Sequence, residues 1–297
     1  MKKMFDRKDR LERIGNIEKV TSLEHLKPIE DYAVNKMAKI GIGWDYDVTA
    51  FEVPFFSNFG YTEFAHSFII NPLQQELRCQ QINDAFEDDS ESDLLDWTGY
   101  FANRVKSKGA NKYVDIKQTE YEGRPHIIIP VGSNKLKDTI CLNKLLFIVR
   151  TYGKENVYFK PHPLTKHILI GELKDELGEE VVIERDADMF SLIMKADVIH
   201  TSHMSESAVY AISLDKKVDP IDVYNKASGG SYYPINRHLF NQPDPKHWVN
   251  KTFSNYKSGI FNPEVDPDWK TKMDKYFDYM MAERDKHRYK FVTTTGG

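Results

Sequence analysis

The chain has 297 residues, 40% of them hydrophobic, 29% charged and 12% aromatic, the composition of a folded protein long enough for two domains of ordinary size. A formal charge of −4 and a pI near 6.2 exclude a general attraction for nucleic acid, so such a partner would need a local basic surface. The two cysteines, Cys79 and Cys141, lie far apart without metal-ligand spacing and read as reduced thiols of a cytoplasmic protein.

The amino terminus, MKKMFDRKDRLERIGNIEK, is charged and is not followed by an apolar core, so it does not read as a signal peptide. No run approaches the ~18 apolar residues that span a bilayer. KMAKIGIGW suggests a strand ending at Trp44. PFFSNFGYTEFAHSFI is aromatic-rich, NPLQQELRCQQINDAFED and SDLLDWTGYFANRVKSKG have helical spacing, and ANKYVDIKQTEYEGRP reads as a connection. The expected first domain is therefore 1–122.

From Arg124 the pattern becomes regular. RPHIIIPVG is a short apolar run typical of a strand buried on both faces, and CLNKLLFIVRTYG is a helix stopping at Gly153. NVYFKP predicts a second strand, HILIGELKDELG a helix ending at Gly178, and EVVIER a third strand. DMFSLIMKA predicts a helix, DVIHTS a fourth strand, SESAVYAISL a helix and KVDPID a short fifth strand. Alternation at this spacing means a parallel sheet covered by helices, in a second domain of 123–262. DPDWKTKMDKYFDYMMAERDKHRY, in the remaining 263–297, is an amphipathic helix that would pack back on the first domain.

Ligands of parallel sheets bind beyond the carboxyl ends of the strands. Two stretches fall there. In YFKPHPLT, Pro161 and Pro163 fix φ and remove donors, so His162 is held at a strand end with few ways to relax. In HTSHMSES, the hydroxyls of Thr201, Ser202, Ser205 and Ser207 gather near a helix start, where free N–H groups favour an anion. The structural alternatives are a rigid turn with an incidental histidine and a plain helix cap at Ser205.

KPHP followed by ADVIHTSHMSES resembles the HP and Ser-rich motifs of GT-B glycosyltransferases of the sialyltransferase and capsule-polysaccharide type, a pattern shared with the CDP-glycerol glycerophosphotransferases. The resemblance covers roughly Arg124 to Asp222, and His203 and Met204 interrupt the usual paired serines. It implies an α/β fold of GT-B type, two Rossmann-like domains facing a cleft. It also implies that His162, with the hydroxyls of Ser202 and Ser205, contacts the phosphate of a UDP- or CMP-linked sugar. The nucleotide-binding set is then Lys160, His162, Thr201, Ser202, Ser205, Glu206 and Asp222, with Lys160 adding charge and Asp222 placed for a ribose or base. Gly229 and Gly230 read as a flexible loop beside it.

The chemistry suits these residue types. Charge grows on a departing nucleotide phosphate, and fixed donors or a protonated histidine lower that barrier. The acceptor hydroxyl needs a base, for which Asp45 and Asp47 in GIGWDYDV are the first candidates and Glu63 and His66 the rivals. DYD also matches the metal motif of GT-A enzymes, but DAD at Asp186–Asp188 and DPD at Asp266–Asp268 show how cheaply such patterns arise. No required metal or cofactor is expected.

The expected function is an inverting glycosyl transfer from a nucleotide sugar. The acceptor is either hydroxymethylated pyrimidine in phage DNA, which places the chain in a host cytoplasm, or a saccharide. For DNA the phosphate contacts would come from Arg104, Lys106, Lys108 and Lys112, and from Lys270, Lys272, Lys275, Arg284, Lys286 and Arg288. A flipped base would enter the aromatic run Phe55–Phe68. The alternatives are transfer of a polyol phosphate and a non-catalytic nucleotide-binding protein.

Overall fold

The tripeptide Ile127-Ile128-Ile129 lies between Pro125 and Pro130, which lack a backbone donor and so bracket a short strand, β3 (His126–Ile129). In the computed structural model the described residues are 27–39, 59–63, 67–72, 75–90, 94–107, 120–131, 141–163, 165–222 and 230–292, with backbone alone at 27, 30, 34, 37–39, 59–63 and 284–292. The expected strand at Trp44, together with Asp45, Asp47, His66, Lys108, Lys112 and Gly229, lies outside them. They divide into two units, 98–249 and the combination of 27–97 with 250–292.

The 98–249 unit is α/β. After α3 (Trp97–Lys106) and β3 come α4 (Leu142–Tyr152), β4 (Val157–Phe159), α5 (His167–Leu177), α6 (Met189–Lys195), β5 (Val198–Thr201), α7 (Ser207–Ser213), β6 (Lys217–Pro220) and α8 (Tyr233–Leu239). α1 (Lys27–Lys39), β1 (Phe59–Glu63), β2 (Phe68–Pro72) and α2 (Gln75–Glu87) precede α3. α9 (Pro245–Ser254), β7 (Ile260–Phe261) and α10 (Trp269–Val292) close the chain.

The sheet runs β4-β3-β5-β6, every pair parallel. One side is filled by Leu145, Ile148 and Val149 of α4 and by Leu169, Leu173 and Leu177 of α5, apolar at helical spacing, against Ile128, Val157 and Phe159. Gly153 and Gly178 end α4 and α5 at φ 85° and 108°, outside the range a side chain tolerates. Residues 207–213 of α7 are all buried, and Tyr210 meets Phe101 and Phe190 edge-on at 5.5 and 5.0 Å.

The expected third strand, EVVIER, is reduced to one parallel bridge between Val182 and Phe159. Phe159 N–H donates to the Val181 carbonyl, and Ile183 N–H to that of Phe159. Beyond that bridge the Arg185 carbonyl accepts from Lys160 Nζ at 2.9 Å. With that bridge included, the order is third, second, first, fourth, fifth. The chain reverses its direction of winding between β3 and β5, the place where such sheets leave a crevice.

In the other unit the sheet β1-β2-β7 is antiparallel. Its core joins Ile29 and Ala33 of α1, Phe68 and Ile70 of β2 and Phe261 of β7 to Trp269, Met273, Tyr276, Phe277 and Met280 of α10, which follow one helical stripe. Arg78, fully buried, donates to the Ser258 carbonyl and to Gln81 Oε1, bracing the turn before β7. Phe68, expected at a base-receiving surface, is fully buried core. Lys272 is a correction too. It is not a surface cation but 7% exposed, donating to the Phe253 carbonyl beneath the Trp97 and Phe261 rings. Lys106, Lys270 and Lys275 are exposed. Among the described residues no helix is long and apolar enough to cross a membrane.

Candidate functional site at the carboxyl edge of the parallel sheet

Past β4 the chain enters Lys160-Pro161-His162-Pro163. Lys160 N–H still donates to the Ile128 carbonyl, so the ladder extends one residue beyond the strand. The lysine side chain is 2% exposed, not the solvated strand-end group its position in the sequence allows. Its Nζ donates to the carbonyls of Pro161 at 3.0 Å and Arg185 at 2.9 Å. Burial pushes the ammonium down to about 7, and Asp188 and Asp186 oppose that shift. Arg185 Nη1 in turn donates to the Thr165 carbonyl at 2.9 Å, and Thr165 N–H to that of His162 at 2.8 Å. Lys160 thus braces the histidine turn from inside. His162 is half-buried at the rim.

The loop after β5 is closed by its own polar groups. Thr201 Oγ1 donates to the Ile129 carbonyl at 2.8 Å and shares a 2.7 Å hydrogen bond with Ser207 Oγ. The Ser205 and Ser207 hydroxyls are 2.7 Å apart. Ser205 Oγ also accepts from Ser207 N–H, although the cap position belongs to Glu206, which itself accepts from Tyr210 Oη at 2.5 Å. Ser202 Oγ donates to Asp222 Oδ2 at 2.5 Å, and His203 N–H lies 3.1 and 3.2 Å from the two Asp222 oxygens. The ring of His203 meets the same carboxylate, Nδ1 to Oδ1 at 2.7 Å.

Asp222 is therefore a buried anion with several donors. Burial alone would raise its pKa, but the hydrogen bonds from His203 and Ser202 outweigh it and hold the carboxyl below its ordinary value. From α8, Asn236 Nδ2 donates to the carbonyls of His203 and Ser205, both at 2.8 Å. The His203 ring lies beside Phe240 and Tyr233, at 4.8 and 5.8 Å between centroids.

The structure brings Thr201, Ser202, Ser205, Glu206 and Asp222 together on this loop, while Lys160 and His162 follow β4 on the same edge of the sheet. The backbone of Glu63 lies in β1, opposite Phe68. Two features escape a reading of the sequence. His203 looks there like an interruption of a serine motif, and its partner Asp222 is 19 residues away. Likewise, a polar chain crosses one face of the sheet. Asp219 Oδ2 lies 3.0 Å from His200 Nδ1, His200 Nε2 lies 3.1 Å from His126 Nδ1, and His126 stacks on Tyr152 at 3.7 Å. The parallel register sets His200 opposite Ile128, which shares a face with His126 by period two, so the pair arises from a register the sequence does not show. Burial lowers the pKa of both imidazoles, and Asp219 opposes the shift at His200.

Among the described residues no group of three or more His, Cys, Asp or Glu is placed to hold a metal ion. No family model, no curated protein and no solved structure matches the chain.

Proposed function

We propose that the chain is a nucleotide-sugar-dependent inverting glycosyltransferase of GT-B type. In it the 98–249 unit holds the donor, and the unit formed by 27–97 and 250–292 the acceptor. The observation that carries this reading is the winding of the parallel sheet. Its direction reverses between β3 and β5, and the conformationally restricted histidine turn and the hydroxyl-rich loop both follow strands at their carboxyl ends. A nucleotide in such a crevice has its phosphates near the strand ends.

His162 then lies against the leaving phosphate and donates to the charge that grows there, while Lys160 acts behind it by holding the turn. The sugar passes to a hydroxyl of either hydroxymethylated pyrimidine in DNA or a saccharide. A non-catalytic nucleotide-binding protein is favoured by one observation. The hydroxyls of Thr201, Ser202, Ser205 and Ser207 are already engaged with one another or with the chain.

The test separates the two. Nucleotide sugars are screened for a rise in Tm, since selective binding stabilises the folded state. Those that bind are then incubated with duplexes containing hydroxymethylcytosine and with saccharide acceptors. Release of nucleotide with gain of sugar mass on an acceptor supports the enzyme. Binding without release or transfer supports the non-catalytic protein.

A further inference from the structure

The loop between β5 and α7 has the composition of an anion cradle, yet it is folded around the chain's own carboxylate. Ser202 Oγ, His203 N–H and His203 Nδ1 all converge on Asp222. A ligand phosphate on these same donors would lie against a buried negative charge and would have to displace it. The loop is better suited to holding an imidazole.

Asp222 is ionised and can only accept, so His203 Nδ1 carries the hydrogen. In the neutral ring the lone pair is then on Nε2. Among the described residues Nε2 has no hydrogen-bond partner, and the side chain keeps 18% of its surface exposed. The ring is fixed by more than one partner. Phe240 and Tyr233 lie beside it, and the fully buried Asn236 ties the backbone on either side of Met204. Among the described residues the buried Asn236 Oδ1 has no partner, so the two donated bonds orient the amide. An imidazole with one nitrogen on a carboxylate and a lone pair left on the other, in a side chain still partly exposed, is built to move a proton.

We propose that His203 is the general base of this site, with Nε2 as the atom that takes the proton of the acceptor hydroxyl and Asp222 as its positioning residue. The proposal rests on the glycosyl-transfer reading and moves the base from Asp45 or Asp47 to the loop after β5. In the step, the hydroxyl oxygen forms a bond to the anomeric carbon of the donor. The bond from that carbon to the phosphate oxygen breaks, and its electron pair leaves with the nucleotide. The hydroxyl proton goes to Nε2, the imidazolium is stabilised by Asp222, and it later returns the proton to solvent.

The test has two arms on the full chain. In the first, two-bond proton–nitrogen spectra of histidine-labelled protein give the tautomer of His203, assigned with His203→Gln. The expected state of the neutral ring is hydrogen on Nδ1 and a bare Nε2; the opposite tautomer overturns the proposal.

In the second, turnover is measured with a nucleotide sugar that raises Tm. His203→Gln should lower kcat by about a hundredfold or more while the donor-induced rise in Tm is kept. Asp222→Asn should lower kcat and also displace the acidic limb of its pH profile, which a purely structural role would leave in place. Wild-type kcat in His203→Gln, with the donor still bound, overturns the proposal alone. If no nucleotide sugar raises Tm or is consumed, the glycosyl-transfer reading falls and the proposal with it.

Discussion

Replacing Lys160 by Met removes one titration from the interior of the parallel-sheet unit. The ammonium is brought from 10.5 to about 7 by burial, whereas in the unfolded chain it keeps its ordinary value. Between those two values the unfolded state binds more protons than the folded one, so stability rises with pH across that window. Below about 7 both states are protonated and the whole cost of burying the charge is present. At ~1.4 kcal/mol per unit, the full window is worth on the order of 5 kcal/mol. The accessible part, from pH 7 to pH 9, is about 2 kcal/mol.

Lys160→Met also leaves the Pro161 and Arg185 carbonyls without this donor, at a cost of roughly 1–3 kcal/mol each. That cost is nearly independent of pH and shifts the whole curve without tilting it. The assay is urea unfolding of both proteins at half-unit steps from pH 6.5 to 9.5. The difference, wild type minus variant, cancels every other titration and should climb by about 2 kcal/mol from pH 7 to 9. A flat difference would refute the reasoning and show that Lys160 stays charged in its carbonyl nest.

His162→Ala should reduce turnover by about a hundredfold or more in a folded protein, measured with the nucleotide sugar that raises Tm. Activity should survive exhaustive chelation; complete loss restored by manganese or magnesium would revive DYD as a metal site. His126 and His200 both titrate below the 6.5 of a free imidazole, so the unfolded state binds more protons as pH falls below that value. Urea midpoints should therefore drop from pH 7 to 5.5, and His200→Gln should drop less. For a DNA acceptor, Lys106→Glu with Lys270→Glu should weaken duplex binding without changing the donor's effect on Tm. The salt slope should fall by about 0.9 for each phosphate contact removed.

The parallel-sheet unit is legible because its signals are local. Leu145, Ile148 and Val149, like Leu169, Leu173 and Leu177, repeat at helical spacing inside their own segments, and Gly153 and Gly178 mark their ends. The third strand is overread because Val181, Val182 and Ile183 have the composition of a strand, whereas its length depends on pairing with β4, which is a tertiary matter and amounts to one bridge.

By itself the sequence determines the alternation of strand and helix from 124 to 222, the helical stripe of α10, and the restricted turn around His162. Each depends on residues a few positions apart. Tertiary structure alone decides that Lys160 and Lys272 are buried and that β2 pairs with β7 almost 200 residues later. It decides also that Asp222 meets Ser202 and His203, with Asn236 closing the loop. The reason is physical. A charged side chain has the same local pattern whether it faces water or a nest of carbonyls, and only the folded packing selects its partner.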